Sequence, residues 1–147
     1  MTPKSPSSVD NSAAIALDVG GRRIGVAVAR AGARLPGPLT TLINEGDIAN
    51  TIKQVVTEQR AGFVVVGLPR GLDGQETAQT RTVKDFVNAI EPAVGVPLYW
   101  QDEAATSAQA EAELKSRGKP YVKEDIDALS ATYILEDFLR DNPGELA

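Results

Sequence analysis

The chain has 147 residues, the size of one ordinary domain, and contains neither cysteine nor histidine. These absences exclude disulfides, thiolate zinc sites and the commonest general base, so any chemistry must use carboxylates, hydroxyls, lysines or a bound metal. The formal net charge of −5 does not by itself indicate a nucleic-acid partner, because a phosphate backbone favours clustered Lys and Arg.

The chain ends are expected to lie outside the folded part. Residues 1–13 are rich in Ser and Pro and have neither the pattern of a secretory signal nor that of an anchor, so a disordered tail is expected. No later segment is long and apolar enough to span a membrane. We therefore expect a cytoplasmic protein with one domain over 14–140 and a short tail over 141–147.

The first predicted element is a β-hairpin with one carboxylate at its mouth. Residues 15–17 form a short buried strand, and Gly20 and Gly21 are expected to supply the positive φ of a tight reversal. Asp18 then ends a central strand, where a carboxylate is costly to desolvate unless solvent or a cation meets it. Either a metal or phosphate-handling site or an Asx turn would explain it. The return strand directs three apolar side chains to one face: Ile24, Val26 and Val28.

The middle of the chain alternates between strands and a helix. Residues 39–43 predict a third strand, and residues 47–60 predict a helix with one apolar face. The β-branched run over 63–67 is typical of a strand buried on both sides. A loop over 70–75 follows, in which Asp73 and Gly74 are expected to shape the turn.

The last third of the chain predicts a helix, a strand and two further helices. Apolar residues keep helical spacing over 83–90, and a strand over 96–100 leads into Gln101, Asp102 and Glu103. The terminal helices are predicted from Thr106 to Arg117 and from Ile126 to Arg140, the second capped by Asp125. This order indicates a mixed α/β fold in which the first three strands are antiparallel and the later ones are parallel.

Three carboxylates fall where such a sheet would gather them. Parallel strands place their carboxyl ends at one edge, so Asp18 and Glu103 can face the same crevice, and a helix packed across that edge would add Asp127. Each also has an ordinary structural role, as a turn former, a solvated loop residue and an acid that complements the helix dipole. Asp102 ranks below these three.

Four motifs, in order, make the chain from about Ala14 to Leu139 resemble the YqgF (RuvX) family of RNase H-like nucleases. They are LDVGGRRIGVAVA, VVVGLPRGLDGQ, QDEAATS and DIDALSATYILEDFL. The resemblance implies a five-stranded RNase H-like sheet flanked by helices, with an acidic triad at Asp18, Glu103 and Asp127. One position departs from the family: Ala104 stands where an arginine is usual, which removes a cation beside the expected acid.

The resemblance also implies a metal-dependent endonuclease that acts on structured nucleic acid. Two Mg²⁺ ions, or Mn²⁺ in their place, held roughly 3.5 to 4 Å apart by the triad, would activate a water and stabilise the leaving oxygen. The family is associated with maturation of the 5′ end of precursor 16S ribosomal RNA and with resolution of Holliday junctions. We expect precursor rRNA as substrate and ribosomal particles as partners, with branched DNA as the alternative.

Basic residues cluster in three places despite the acidic balance, and they are the expected contacts to nucleic acid, although a solvated connector would also explain the last group. They lie at the hairpin mouth, beside the 70–75 loop, and between the two terminal helices. The residues are Arg22, Arg23, Arg70, Lys115, Arg117 and Lys119.

Other classes of protein explain parts of the same pattern. A ribosome-assembly factor would bind nucleic acid without efficient cleavage, as the substitution at Ala104 suggests. An ATP-handling sugar kinase or actin-like protein also opens with an Asp-x-Gly hairpin, but it needs two related domains. The glycines after the first strand lack the spacing of a dinucleotide-binding loop. Tyr99 and Trp100 are expected to pack and not to stack on bases.

Overall fold

The structure is a computed structural model that describes residues 13–103 and 106–147. Ala104 and the first twelve residues lie outside that part, as does the side chain of Thr106, which the sequence had indicated as a cap. The described residues form five strands and four helices: β1 (Ala13–Val19), β2 (Arg23–Arg30), β3 (Gly37–Ile43), α1 (Ile48–Gln59), β4 (Ala61–Pro69), α2 (Ala78–Val94), β5 (Leu98–Glu103), α3 (Thr106–Ser116) and α4 (Lys123–Asp141).

The strands form a single mixed sheet in the order β3-β2-β1-β4-β5. β1 and β3 each run antiparallel to β2, whereas β1, β4 and β5 are parallel to one another. This arrangement confirms the predicted α/β fold. Since β1, β4 and β5 point the same way, their carboxyl ends meet at one edge of the sheet.

The two faces of the sheet are built from side chains of different size. The face that packs on α1 and α2 carries large apolar residues such as Ile15, Leu17 and Val66. The face beneath α4 is mostly alanine where β1 and β2 cross it, including Ala14, Ala16 and others. Small side chains let the α4 backbone approach the sheet closely, which brings the polar residues of α4 near the strand ends.

The hairpin between β1 and β2 uses its glycines differently from the prediction. Neither Gly20 nor Gly21 has a positive φ, so that expectation is wrong. Instead, the Gly20 N–H donates to the carbonyl of Arg23 at 2.9 Å. A Cβ at Gly20 would lie 2.8 Å from the same oxygen, so the turn needs glycine there for space and not for backbone conformation.

Two element boundaries near the expected acids differ from the prediction. α4 begins at Lys123, so Asp125 is not the residue that precedes the helix. Asp125 lies in the first turn, and its carboxylate accepts from the Val122 N–H at 3.0 Å, which places Asp127 in the second turn. β5 continues to Glu103, because Glu103 pairs with Pro69 and its carbonyl accepts from the Arg70 N–H at 3.2 Å. Within the described ranges, no helix is long and apolar enough to cross a membrane.

Candidate active site

A cavity of about 290 Å³ opens where the carboxyl ends of β1, β4 and β5 meet α4. Its lining includes all three carboxylates singled out in the sequence, Asp18, Glu103 and Asp127. Asp18 comes from a central strand, Glu103 from an edge strand and Asp127 from a helix. Glu103 and Asp127 each lie more than eighty positions after Asp18 in the sequence. The fold therefore brings the three acids to one crevice.

Asp18 is partly buried at the end of β1, and its surroundings shift its pKa. Burial is the main reason that its pKa is raised from 3.8 to about 6. A hydrogen bond with the Ser130 side chain limits this rise by favouring the charged form, and the nearby charge of Asp127 contributes to it. The group is thus a carboxylate that gains from any nearby positive charge.

Glycine on β2 brings Asp127 to this position. Asp18 pairs with Gly25 across the hairpin, and a Cβ built on Gly25 would lie 2.0 Å from the backbone oxygen of Asp127. Real side chains never approach so closely, so only glycine permits α4 to cross β2 here. Gly67 on β4 plays a similar part, since its Cβ would lie 2.4 Å from the Ile134 Cδ1.

Asp127 is already paired with a cation from the chain itself. The Arg23 Nε donates to the Asp127 Oδ2 at 2.5 Å, and Glu124 lies 4.0 Å from the same nitrogen. The hydrogen bond and the charge of Asp127 raise the pKa of the Arg23 guanidinium. Arg23 lines the cavity, so a residue expected to contact nucleic acid is held here by one of the acids.

Glu103 differs from Asp127 in that protonation, and not an ion pair with arginine, reduces its negative charge. Its Oε1 is buried and has no hydrogen-bond partner among the described residues. Burial, together with a hydrogen bond with Asp137 and the charge of that group, raises its pKa to about 8, although the charge of Arg140 acts in the opposite direction. Asp137 also accepts from Arg140 at 3.0 Å. The Glu103 carboxyl therefore tends to keep its proton at neutral pH.

The chemistry of the three acids suits a hard divalent cation, which prefers carboxylate oxygens, and the orphaned Glu103 oxygen is a buried acceptor of that kind. The three carboxylates, however, lie further apart than the ligands of a formed metal centre. Within the described ranges, no group of three or more Asp or Glu side chains is close enough to hold one metal ion. Asp127 is turned to Arg23, and Glu103 is turned to Asp137.

The remaining basic residues lie at different distances from the cavity. Arg70 does not line this cavity. Its Nε is 3.4 Å from the Asp102 Oδ1, and it lines a second cavity of about 270 Å³ that shares Glu103 with the first. Arg22 is exposed in the hairpin turn. The other three are exposed near the end of α3: Lys115, Arg117, which pairs with Glu113, and Lys119.

Arg117 and Lys119 line a cavity of about 240 Å³ of their own, between β3 and the start of α4. The acidic cavity does not include them. The structure therefore does not join this basic segment to the three acids, and any nucleic acid that contacts both must extend beyond the acidic crevice.

Sequence reasoning missed three residues that shape the site. Ser130 follows Asp127 by three positions and thus shares its helix face, so the helical period was a usable signal. Gly25 was visible as an isolated glycine within a strand, a feature that indicates close backbone approach. Asp137 had no signal, because its neighbour Glu103 belongs to a distant strand.

The sheet order and the acidic edge together define an RNase H-like protein. The solved structure of T. thermophilus RuvC in complex with a Holliday junction substrate has this fold, with a TM-score of 0.53 at 18% identity, over 88% of this chain and 96% of that one. A family model described as "RuvX: Holliday junction resolvase" matches residues 12–141, and the chain belongs to that family.

Curated relatives support the same assignment over nearly the whole chain. A protein from Chloroflexus aurantiacus, named "Putative pre-16S rRNA nuclease", is 42% identical over 137 residues, which cover 88% of this chain and 89% of that protein. A protein of the same name from Haemophilus ducreyi is 34% identical over 133 residues, covering 88% and 96%. The family resemblance found in the sequence is thereby confirmed.

Proposed function

We propose that this protein is a divalent-metal-dependent nuclease that cleaves structured nucleic acid, with the 5′ end of precursor 16S rRNA as its substrate. The observation that carries the proposal is the single cavity lined by Asp18, Glu103 and Asp127 at the carboxyl edge of the sheet. Family membership supports nuclease chemistry, and the name of the curated relatives supports the RNA substrate.

The three acids would hold Mg²⁺ or Mn²⁺, which when bound supplies an activated water and charge stabilisation for the leaving oxygen. The chain's own part is positional. Asp18 is fixed by the β1–β2 register, and Asp127 is fixed by the close packing of α4 on Gly25. Glu103 has to give up its proton before it can serve as a ligand, because only the carboxylate binds metal.

Nucleic acid would be held from the rim outward. Arg70 lines the neighbouring cavity that shares Glu103 and would meet a phosphate adjacent to the cleaved one. Lys115, Arg117 and Lys119 are exposed at the far end of α3 and would contact phosphates further along the chain of the substrate. A structured RNA, or the ribosomal particle that carries it, is large enough to reach both surfaces.

Branched DNA is the second candidate substrate, because the matching family model is described as a Holliday junction resolvase. The chemistry at the phosphate would be the same for either nucleic acid. The two candidates differ in the shape that the rim and the basic residues must accommodate, and a direct comparison of substrates separates them.

The test is cleavage by highly purified wild type, Asp18→Asn and a matched control, Asp85→Asn, with Mn²⁺ or Mg²⁺. Asp85 is an exposed carboxylate on α2. Precursor 16S rRNA within its particle and a four-way DNA junction serve as substrates. Wild type and Asp85→Asn should cleave the RNA, and Asp18→Asn should be slower by more than about 10²-fold, the loss typical of one preorganised electrostatic contact.

Equal cleavage by all three proteins would mean a contaminating nuclease or a misplaced site. Cleavage of the junction but not of the RNA would favour the DNA substrate. Binding of the RNA without cleavage under any of these metals would make the protein an assembly factor and would overturn the proposed activity.

A further inference from the structure

The acidic cavity contains a cation of its own. Arg23 is the one Lys or Arg among the described residues that line it, and it stands at the start of β2 beside the hairpin turn. Its Nε donates to the Asp127 Oδ2 at 2.5 Å, in a pair whose side chains are 30% and 17% exposed. This partial burial makes the pair stronger than an ion pair on an open surface.

The pairing occupies the Asp127 oxygen that a divalent cation would need. A carboxylate oxygen that accepts a charge-assisted hydrogen bond is less available to a cation, and a nearby guanidinium repels that cation. The charge of Asp127 contributes to the raised pKa of Asp18, and Arg23 pairs with Asp127. Arg23 thus supplies Asp127 with the positive charge that a metal would otherwise provide.

The contact uses only one of the donors that Arg23 possesses. A guanidinium has five N–H donors in a planar fork, and the hydrogen bond to Asp127 is made by Nε. The other donors lie on the two terminal nitrogens, a geometry that matches two phosphate oxygens. The side chain can therefore pass from a carboxylate to a phosphate without leaving the cavity.

We propose that Arg23 is an exchangeable counter-ion, which holds Asp127 in the metal-free protein and transfers to a substrate phosphate when a divalent cation takes its place on Asp127. The proposal rests on the proposed nuclease function. On this proposal, Arg23 lowers the affinity of the protein for metal but raises the rate of cleavage. An arginine with a purely structural role would support both metal binding and cleavage.

The test measures Mn²⁺ affinity directly, from the electron paramagnetic resonance signal of free Mn²⁺, without any substrate. Arg23→Gln should bind Mn²⁺ about 10-fold to 100-fold more tightly than wild type, because a charge-assisted hydrogen bond no longer has to be displaced. Arg22→Gln removes the same charge from the neighbouring exposed position and should change the affinity far less. At saturating Mn²⁺, Arg23→Gln should nevertheless cleave more slowly than wild type.

Two further variants locate the effect and guard against misfolding. Asp127→Asn should weaken Mn²⁺ binding, and adding Arg23→Gln to it should no longer give the gain seen in the single variant, since the pair is already broken. If Arg23→Gln does not fold, Arg23→Lys replaces it. Lysine keeps the charge but not the planar fork, so its Mn²⁺ affinity should also exceed that of wild type, by a smaller factor.

The outcomes separate this inference from the proposed function. An unchanged or weaker Mn²⁺ affinity in the folded Arg23 variant, with binding still lost in Asp18→Asn, overturns the inference alone. A gain equal to that of Arg22→Gln also overturns it, because the effect would then be one of general charge. If none of the proteins binds Mn²⁺, the proposed function fails and the inference fails with it.

Discussion

The two sides of the acidic cavity compensate their carboxylates by different means. On the hairpin side, Asp127 pairs with Arg23, and Asp18 has a hydrogen bond with the Ser130 side chain. On the β5 side, Glu103 faces another acid, Asp137, and keeps its proton. One side is neutralised by a cation and the other by protonation.

This difference follows from which elements meet at each side. The hairpin side joins β1, β2 and α4, and β2 contributes an arginine at its first position. The β5 side joins an edge strand to the last turns of α4, where Arg140 is shared between Asp137 and Asp141. An ionised group out of water needs a partner, and Arg140, whose charge favours the ionised form of Glu103, is paired with these two acids, so Glu103 keeps its proton. Metal binding would therefore displace Arg23 on one side and a proton on the other.

The hairpin side can be disrupted by a side chain that fills the space where α4 packs against β2. Gly25→Ala should lower the free energy of unfolding by about 3 kcal/mol or more, because its Cβ would meet the backbone of Asp127, which cannot move aside as a side chain can. Urea unfolding measures the loss. Gly21→Ala has nothing within 4 Å and should change stability by less than about 0.5 kcal/mol. Equal effects at Gly25 and Gly21 would contradict the close approach.

The parts of the site that the sequence could predict are those that depend on strand direction. Asp18 ends an apolar run and Glu103 follows another. Two antiparallel reversals and then two helical crossovers lie between these runs, so the runs are parallel and their shared edge follows from the topology. The residue pattern alone was also compatible with a structural role for each residue, as a turn former for Asp18 and as a solvated loop residue for Glu103. Only the family motifs, taken together, selected them as a pair.

The parts that escaped prediction depend on packing between distant segments. Arg23 was expected to face nucleic acid because its charge is visible in the sequence, whereas its partner Asp127 lies 104 positions away. Asp125 has the residue type of a helix cap, yet α4 starts earlier because the same carboxylate reaches back to the Val122 N–H. In both cases the residue type was informative, and the partner was decided by the tertiary structure.

A milder change sharpens the comparison by removing a hydrogen bond on the hairpin side. Ser130→Ala should raise the pKa of Asp18 further, since that hydrogen bond favours the charged form. Mn²⁺ affinity should fall by about 10-fold, within the range usual for groups that orient a ligand, and more at pH 6 than at pH 8, where protons compete less.

The control for this prediction is Thr132→Val, which removes another buried hydroxyl from α4. The Thr132 Oγ1 donates to the carbonyl of Ala128 at 2.9 Å and does not line the acidic cavity. Its Mn²⁺ affinity should stay close to that of wild type. A loss of affinity that is the same in both variants, or independent of pH, would mean that Ser130 supports the helix and not the Asp18 carboxylate.

The smallest expected effect concerns the β5 side and appears in stability, not in metal binding. The pKa of Glu103 is about 8 in the folded protein against 4.5 for the free side chain, so between these values the folded state binds more protons than the unfolded state. Stability therefore decreases as the pH rises through that window. The Glu103→Gln variant cannot ionise at this position. The thermal midpoint of the variant, relative to that of wild type, should therefore increase by a few degrees between pH 5 and pH 8.5.

Thermal unfolding without metal at several pH values measures this gain, with Glu91→Gln, an exposed position on α2, as the control for loss of one surface charge. At pH 5 the protonated carboxyl and the amide are both neutral, so the two proteins should differ little there. A midpoint difference that stays constant from pH 5 to pH 8.5 would mean that Glu103 is charged throughout. The β5 side would then need a cation, as the hairpin side does, and the contrast between the two sides would disappear.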